Sequence, residues 1–161
     1  MTPQHQPDQV SIVQFKETQV AVLEHRGDPR RLGDSIRQFI AWRQQNQVLP
    51  KSSATFNVLY EHPDEVDPAD FRFELCAATE RDIAPNASGI VGKTLPGGRC
   101  ARLRHIGSDD TLAATIGYLY SQWLPASGEE PRDFPLFLQR VSFFPEVPEH
   151  EAVTDVFLPL K

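Results

Sequence analysis

The chain lacks most of what metal, thiol and membrane chemistry require. It has two cysteines, Cys76 and Cys100, and one methionine in 161 residues. Neither cysteine has a second thiol or a histidine at metal-ligand spacing, so no zinc or haem motif is present and no cofactor is expected. Both lie in strand-like segments and read as small buried hydrophobes. No apolar run approaches the roughly 20 residues of a membrane helix. The start, MTPQHQPDQ, has neither the basic region nor the apolar stretch of a signal peptide. A cytoplasmic protein without a membrane partner is expected. Basic charge is scarce, with 16 Lys and Arg against 22 Asp and Glu, a net charge of −6. The nearest basic cluster, Arg26, Arg30, Arg31 and Arg37, is interrupted by Asp28 and Asp34. It reads as a solvated helix start, so direct nucleic-acid binding is not expected. Gly97-Gly98 is not followed by a Lys-Ser/Thr helix start, which excludes a phosphate loop.

What the chain does contain is a repeat. Residues 20–42, VAVLEHRGDPRRLGDSIRQFIAW, align without a gap on residues 100–122, CARLRHIGSDDTLAATIGYLYSQ. Ala21, Leu23, His25, Gly27, Leu32 and Ile36 meet Ala101, Leu103, His105, Gly107, Leu112 and Ile116. Chance would supply on the order of one identity over such a window, so a duplicated unit is implied. Two such units packed about an approximate twofold axis would leave a seam, where small-molecule pockets tend to form.

Hydrophobic periodicity divides each half into strand, strand, helix, strand, strand. In the first half the strands are 10–16, 19–25, 55–61 and 71–77, with a hairpin turn at Glu17-Thr18. In the second they are 90–95, 99–105, 136–144 and 153–158, with a tight turn at Pro96-Gly97-Gly98. Asp28 and Pro29 are an N-cap and a first helical residue for a helix over 29–46. Ser108 or Asp109 caps a second helix over 109–123, which Leu124-Pro125 should end. Residues 1–9 read as a flexible tail. The fold expected is α+β, one domain over 1–161. It is a tandem pseudo-twofold repeat of ββαββ units (about 10–79 and 90–161), with antiparallel sheets, one long helix each and a central ligand cleft.

Glu74 and Asp155 fall on equivalent final strands. Beside aromatics they could attract a cation, or they could lie on a solvated strand face with Arg72 as a neighbour. Trp123 sits in the helix stripe where the first helix has Arg43, as core or as a ligand platform. Tyr60, Tyr120 and Phe137 are further aromatic candidates for a pocket wall. His25 and His105 precede matched glycines and suit a structural bond at each helix entry better than catalysis. His62, in an acidic loop, reads as solvated.

The runs YLYSQWLPASGEEPRDFPLF (118–137) and TDVFLPLK (154–161), with VAVLEHRG (20–27), FRFELC (71–76) and PGGRCA (96–101), resemble the GyrI-like small-molecule-binding domains. These occur as effector-binding modules of AraC-type and MerR-type regulators and as stand-alone proteins. The resemblance spans about residues 10–161 and implies two tandem repeats with a groove for amphipathic, often cationic, aromatic compounds. It implies a receptor or sequestering protein, for which the residues singled out above, Tyr60, Glu74, Tyr120, Trp123, Phe137 and Asp155, are the candidate ligand-binding set, with no catalytic or metal site expected. A hydrolase of cyclopropane-type xenobiotics and a gyrase modulator are the alternatives it carries. Many members have Glu and Tyr in a P-x-F-E-x-Y pattern, where this chain has Leu138 and Arg140. That departure weakens cation preference and hydrolysis alike. No helix-turn-helix precedes residue 10, so the chain is not expected to be a DNA-binding regulator by itself.

Overall fold

A computed structural model describes residues 9–60, 65–143 and 146–161. The expectations for the tail (residues 1–8), for His62 and for the strand end at Phe144 lie outside the described residues. In chain order the elements are β1 (Ser11–Phe15), β2 (Thr18–Arg26), α1 (Leu32–Asn46), β3 (Thr55–Leu59), β4 (Arg72–Ala78), β5 (Val91–Leu95) and β6 (Gly98–Ile106). Then follow α2 (Leu112–Tyr118), a π-helical turn (Leu119–Trp123), α3 (Leu124–Ser127), β7 (Phe137–Ser142) and β8 (Val153–Pro159). Strands thus form where the periodicity puts them, within one or two residues, and both helices form in the expected segments, the second running past its expected end.

The strand partners differ from expectation. The chain divides into two compact units, one of Glu17–Pro96 and one of Gly97–Lys161 with the residues up to Lys16. The divisions fall in the two links read as hairpin turns. β1 does not pair with β2, nor β5 with β6. Instead β1 pairs antiparallel with β6, and β5 with β2. The reason is local. Tight hairpins need residues at positive φ. Lys16-Glu17 offers no glycine or asparagine, and Pro96 holds φ negative at the first central position of the other link, which excludes both favoured turn types.

The unit Glu17–Pro96 has strand order β3-β4-β2-β5, all antiparallel. α1 covers one face. Ala21, Leu23, Leu75 and Ala77 from the sheet pack with Phe39 and Trp42 from the helix, closed by Val48 and Ile90. Asp28 accepts from the Arg30 amide at 2.9 Å and Pro29 opens the first turn, the cap read from sequence. Arg43, buried at the end of α1, donates to the carbonyls of Val48 (2.6 Å) and Ser53 (2.9 Å) and to Thr55 Oγ1 (2.7 Å). It thereby fastens the helix to the entry of β3, and burial pulls its pKa down to about 10.

The other unit has order β1-β6-β8-β7, also antiparallel. Topologically it is a circular permutant of the first, because its outer strand is supplied by the start of the chain. Ser108 accepts from the Asp110 amide at 3.2 Å to begin its helix. The helix does not end at Leu124-Pro125. It passes through the π-helical turn and stops at Ser127, where Gly128 takes the left-handed conformation at φ 74°. Pro125 cannot donate to an i−4 carbonyl, and widening the preceding turn lets the chain accommodate its ring.

That turn inserts one residue. α1 starts at Leu32 and is capped by left-handed Gln47; the second helix starts at Leu112 and is capped by Gly128. The offset is 80 at the start and 81 at the cap. Trp123 therefore corresponds to Trp42, not to Arg43 as the ungapped alignment has it, and both tryptophans are buried.

Candidate functional site

In both units the register assigns the faces. Antiparallel partners share a face and neighbours along a strand alternate. His25 and His105 point to the helix side. His25 Nδ1 lies 2.8 Å from Ser35 Oγ, and its Nε2 lies 3.0 Å from the Asp28 carbonyl. His105 repeats this with Thr115 Oγ1 at 2.8 Å and the Ser108 carbonyl at 3.0 Å. Each imidazole ties a strand end to the helix that follows, so the matched histidines have structural partners. Glu74 and Asp155 have the opposite parity and lie on the face away from the helix.

In the first unit this face carries Val20, Val22, Phe56, Val58 and Cys76, all buried, and then turns polar. Glu74 is 3% exposed there. Its Oε1 accepts from the Tyr60 hydroxyl at 2.9 Å, and its Oε2 is held by the Lys93 ammonium. Lys93 reaches it from β5, on the far side of β2. The Arg72 guanidinium lies 3.5 Å above the Tyr60 ring. Glu24, opposite Glu74, pairs with Arg26 at 2.9 Å. Burial and the Glu74 charge push the Tyr60 phenol well above its ordinary range, so the hydroxyl stays a donor at neutral pH.

The equivalent face of the other unit is aromatic. Phe137 and Phe157 stack with centroids 5.1 Å apart, and Phe15 meets both edge-on at 4.9 and 5.3 Å. Asp155, 4% exposed, is bound in bidentate fashion by Arg104, with Nε–Oδ1 at 2.8 Å and Nη2–Oδ2 at 3.0 Å. The solvated-face reading of both acids is thus replaced: each is buried and paired.

Of the six candidates, the structure joins Tyr60 to Glu74, and sets Phe137 and Asp155 on adjacent strands of one face. It separates the other two from these. Tyr120 and Trp123 belong to the π-helical turn on the helix side, where Tyr120 is 45% exposed and Trp123 is buried. Leu138, at the position of the family acid, is buried on the helix side as well, paired with Val156. Arg140 binds Asp109 at 2.7 Å. Sequence reasoning passed over Lys93 and Arg104. Only the strand exchange brings Lys93 near Glu74, and nothing local in VGKTL signals it.

Burial pushes the Cys76 thiol strongly upward, and that of Cys100 upward against the opposing pull of Arg132, so neither is a nucleophile at neutral pH. Among the described residues no group of three His, Cys, Asp or Glu side chains could hold a metal ion, and no helix is long and apolar enough to cross a membrane. A depression of about 250 Å³, lined by Trp42, Asn46, Arg81, Asp82 and Pro85 among others, lies at the end of α1 on the helix side, and Glu74 does not line it.

The chain matches the GyrI-like small molecule binding domain over residues 8–161. It is 36% identical over 152 residues to the "Probable transcriptional regulator YgiV" of Escherichia coli (strain K12), covering 94% of this chain and 95% of that one. It is 31% identical over 114 residues to the "DNA gyrase inhibitor" of Edwardsiella piscicida, covering 69% and 72%. Among solved structures it resembles EcmrR in its complex with DNA, with TM-score 0.74, 17% identity and 94% of this chain covered. It spans 57% of that EcmrR chain. SAV2435 bound to tetraphenylphosphonium matches with TM-score 0.55, 10% identity and coverage of 94% and 93%. The structural likenesses speak to the fold alone; the sequence match over nearly the full length places this chain in the GyrI-like small-molecule-binding domain family.

Proposed function

We propose that this chain is a receptor or sequestering module for amphipathic aromatic compounds in the cytoplasm. The observation that carries the reading is the same in both units. A nearly buried carboxylate, held by a cation, shares with aromatic rings the sheet face that no helix of its unit covers. Ligand sites combine an apolar wall with a few oriented polar groups, and both faces offer that combination. The family, described as a small molecule binding domain, supports it, as do relatives described as probable transcriptional regulators. The shared strand order also supports duplication of one ancestral segment. A panel of neutral, cationic and anionic aromatic dyes, followed by fluorescence, tests the reading. Absence of saturable binding by every class would remove it.

A gyrase-modulating role is the second reading, favoured by the relative described as a DNA gyrase inhibitor. Supercoiling by purified gyrase that is unchanged at excess chain would exclude it. The site favours the hydrolase alternative less. Glu74 and Asp155 are both committed to cations, and Leu138 supplies no third carboxylate.

A further inference from the structure

We propose that the ligand of these faces is an aromatic anion, a ring system bearing a carboxylate or similar acid, rather than a cation. The proposal rests on the binding reading above and names the class of compound bound. Three observations carry it. First, each buried acid already has its counter-charge inside the unit. Lys93 holds one oxygen of Glu74 while Tyr60 donates to the other, and Arg104 closes both oxygens of Asp155. A cationic ligand would have to expel the resident cation or sit against it, and like charges at contact repel. Second, the cations face outward. The side chains of Lys93 and Arg104 are 44% and 54% exposed, whereas the carboxylates beneath them are almost wholly covered. An ammonium has three donors and a guanidinium five, so both retain N–H groups for a second acceptor without releasing the first. Third, these faces are basic in an acidic chain. By register, Arg26, Arg72 and Lys93 share a face with Glu24 and Glu74, and Arg102 and Arg104 share one with Asp155. At physiological salt the field of distant acids is screened beyond about 8 Å, so these local charges decide.

The aromatic part of such a ligand has matching partners. The Tyr60 ring with Arg72 above it, and half-buried Phe15 at the edge of the buried Phe137–Phe157 stack, each lie on the same face as the cation that would take the acid group. Guanidinium stacking against aromatic faces favours flat, electron-rich rings.

The decisive experiment uses the full chain and three naphthalene probes of one size: 2-naphthoate, 2-naphthyl-trimethylammonium and 2-naphthalenemethanol. Isothermal titration is run on the wild type, Glu74→Gln and Lys93→Met. Naphthoate should bind about tenfold or more tighter than the ammonium probe, and added sodium chloride should weaken it. Lys93→Met should weaken naphthoate about tenfold. Glu74→Gln frees Lys93 and should leave naphthoate binding equal or tighter. If the ammonium probe binds tighter than naphthoate, or Glu74→Gln abolishes naphthoate binding in a protein that still melts cooperatively, the anion proposal is overturned. Binding of naphthalenemethanol alone overturns it too, while leaving the receptor reading in place. If none of the three binds, the receptor reading itself fails. Should Glu74→Gln not fold, the wild-type ranking of the probes and its salt dependence still decide.

Discussion

Lys93 holds Glu74 from across an intervening strand, β2, and the two meet only because β5 joins the sheet of the unit that precedes it. Had β5 folded back on β6, as the sequence suggests, this carboxylate would have lost its cation. The buried charge of Glu74 and the exchanged topology therefore support each other, because an uncompensated buried acid is strongly destabilising.

Removing the phenol of Tyr60 should expose that dependence. Tyr60→Phe leaves a nearly buried carboxylate with one fewer donor, and a loss of about 1–3 kcal/mol is expected in urea unfolding. In Tyr60→Phe/Glu74→Gln the two losses should not add. The Tyr60 phenol is also raised above its unfolded value, chiefly by burial and then by Glu74. Its contribution is therefore complete below the unfolded value near pH 10 and is lost only above it. An ultraviolet titration of the wild type compared with Tyr60→Phe should accordingly show the Tyr60 phenol ionising above the ordinary range.

The paired histidines should behave alike. His25→Ala and His105→Ala each remove a ring bonded to a helix hydroxyl and to a backbone carbonyl. Each should cost about 1–3 kcal/mol, with any ligand affinity unaltered in the protein that remains folded. A large selective loss of binding by one variant would assign that histidine a functional role instead.

The π-helical turn makes a directional prediction. Deleting exposed Tyr120 shortens the second helix to the length of the first and brings Trp123 three residues after Leu119, as Trp42 follows Phe39. A loss under about 1 kcal/mol is expected in thermal melts monitored by circular dichroism. Deleting Ala41 from α1 instead rotates Trp42 and Arg43 by about 100° off the core and should cost more than about 3 kcal/mol. Similar losses from the two deletions would refute the register.

Gly98 is placed where any side chain is strained. It has φ +141°, and a Cβ there would stand 2.9 Å from Arg132 Nη1, which donates to the Gly97 carbonyl at 2.8 Å. Gly98→Ala should cost about 1–3 kcal/mol through backbone strain and displacement of Arg132. Chemical denaturation of the variant checks this. Exposed Arg26 offers the control, where Arg26→Ala should stay within about 0.5 kcal/mol.

Much of this was legible in the residues. Alternation in FRFELC is a local pattern and places the strand correctly, whereas the helical spacing of Leu32, Ile36, Phe39 and Ile40 places the helix but not its buried face: Ile36 and Ile40 are exposed, and Phe39 and Trp42 pack on the sheet. Asp28 and Ser108 announce the helix starts because a cap is a contact between near neighbours. Glu74 and Asp155, which the sequence reading set on equivalent strands, both occupy the face away from the helix of their unit. Pro125 misled, because a proline that normally ends a helix is here accommodated by a widened turn.

The sequence by itself determined the elements, their N-terminal caps and the parity of each strand. These depend on periodicities and bonds spanning a few residues. Tertiary structure alone decided which strands became neighbours: β1 beside β6, β5 beside β2. It thereby decided that Lys93 would cover Glu74 while Tyr120 and Trp123 stayed on the helix side. A strand carries no label for its partner. Pairing is settled by which arrangement buries the apolar faces and compensates the charges together, and those residues lie far apart along the chain.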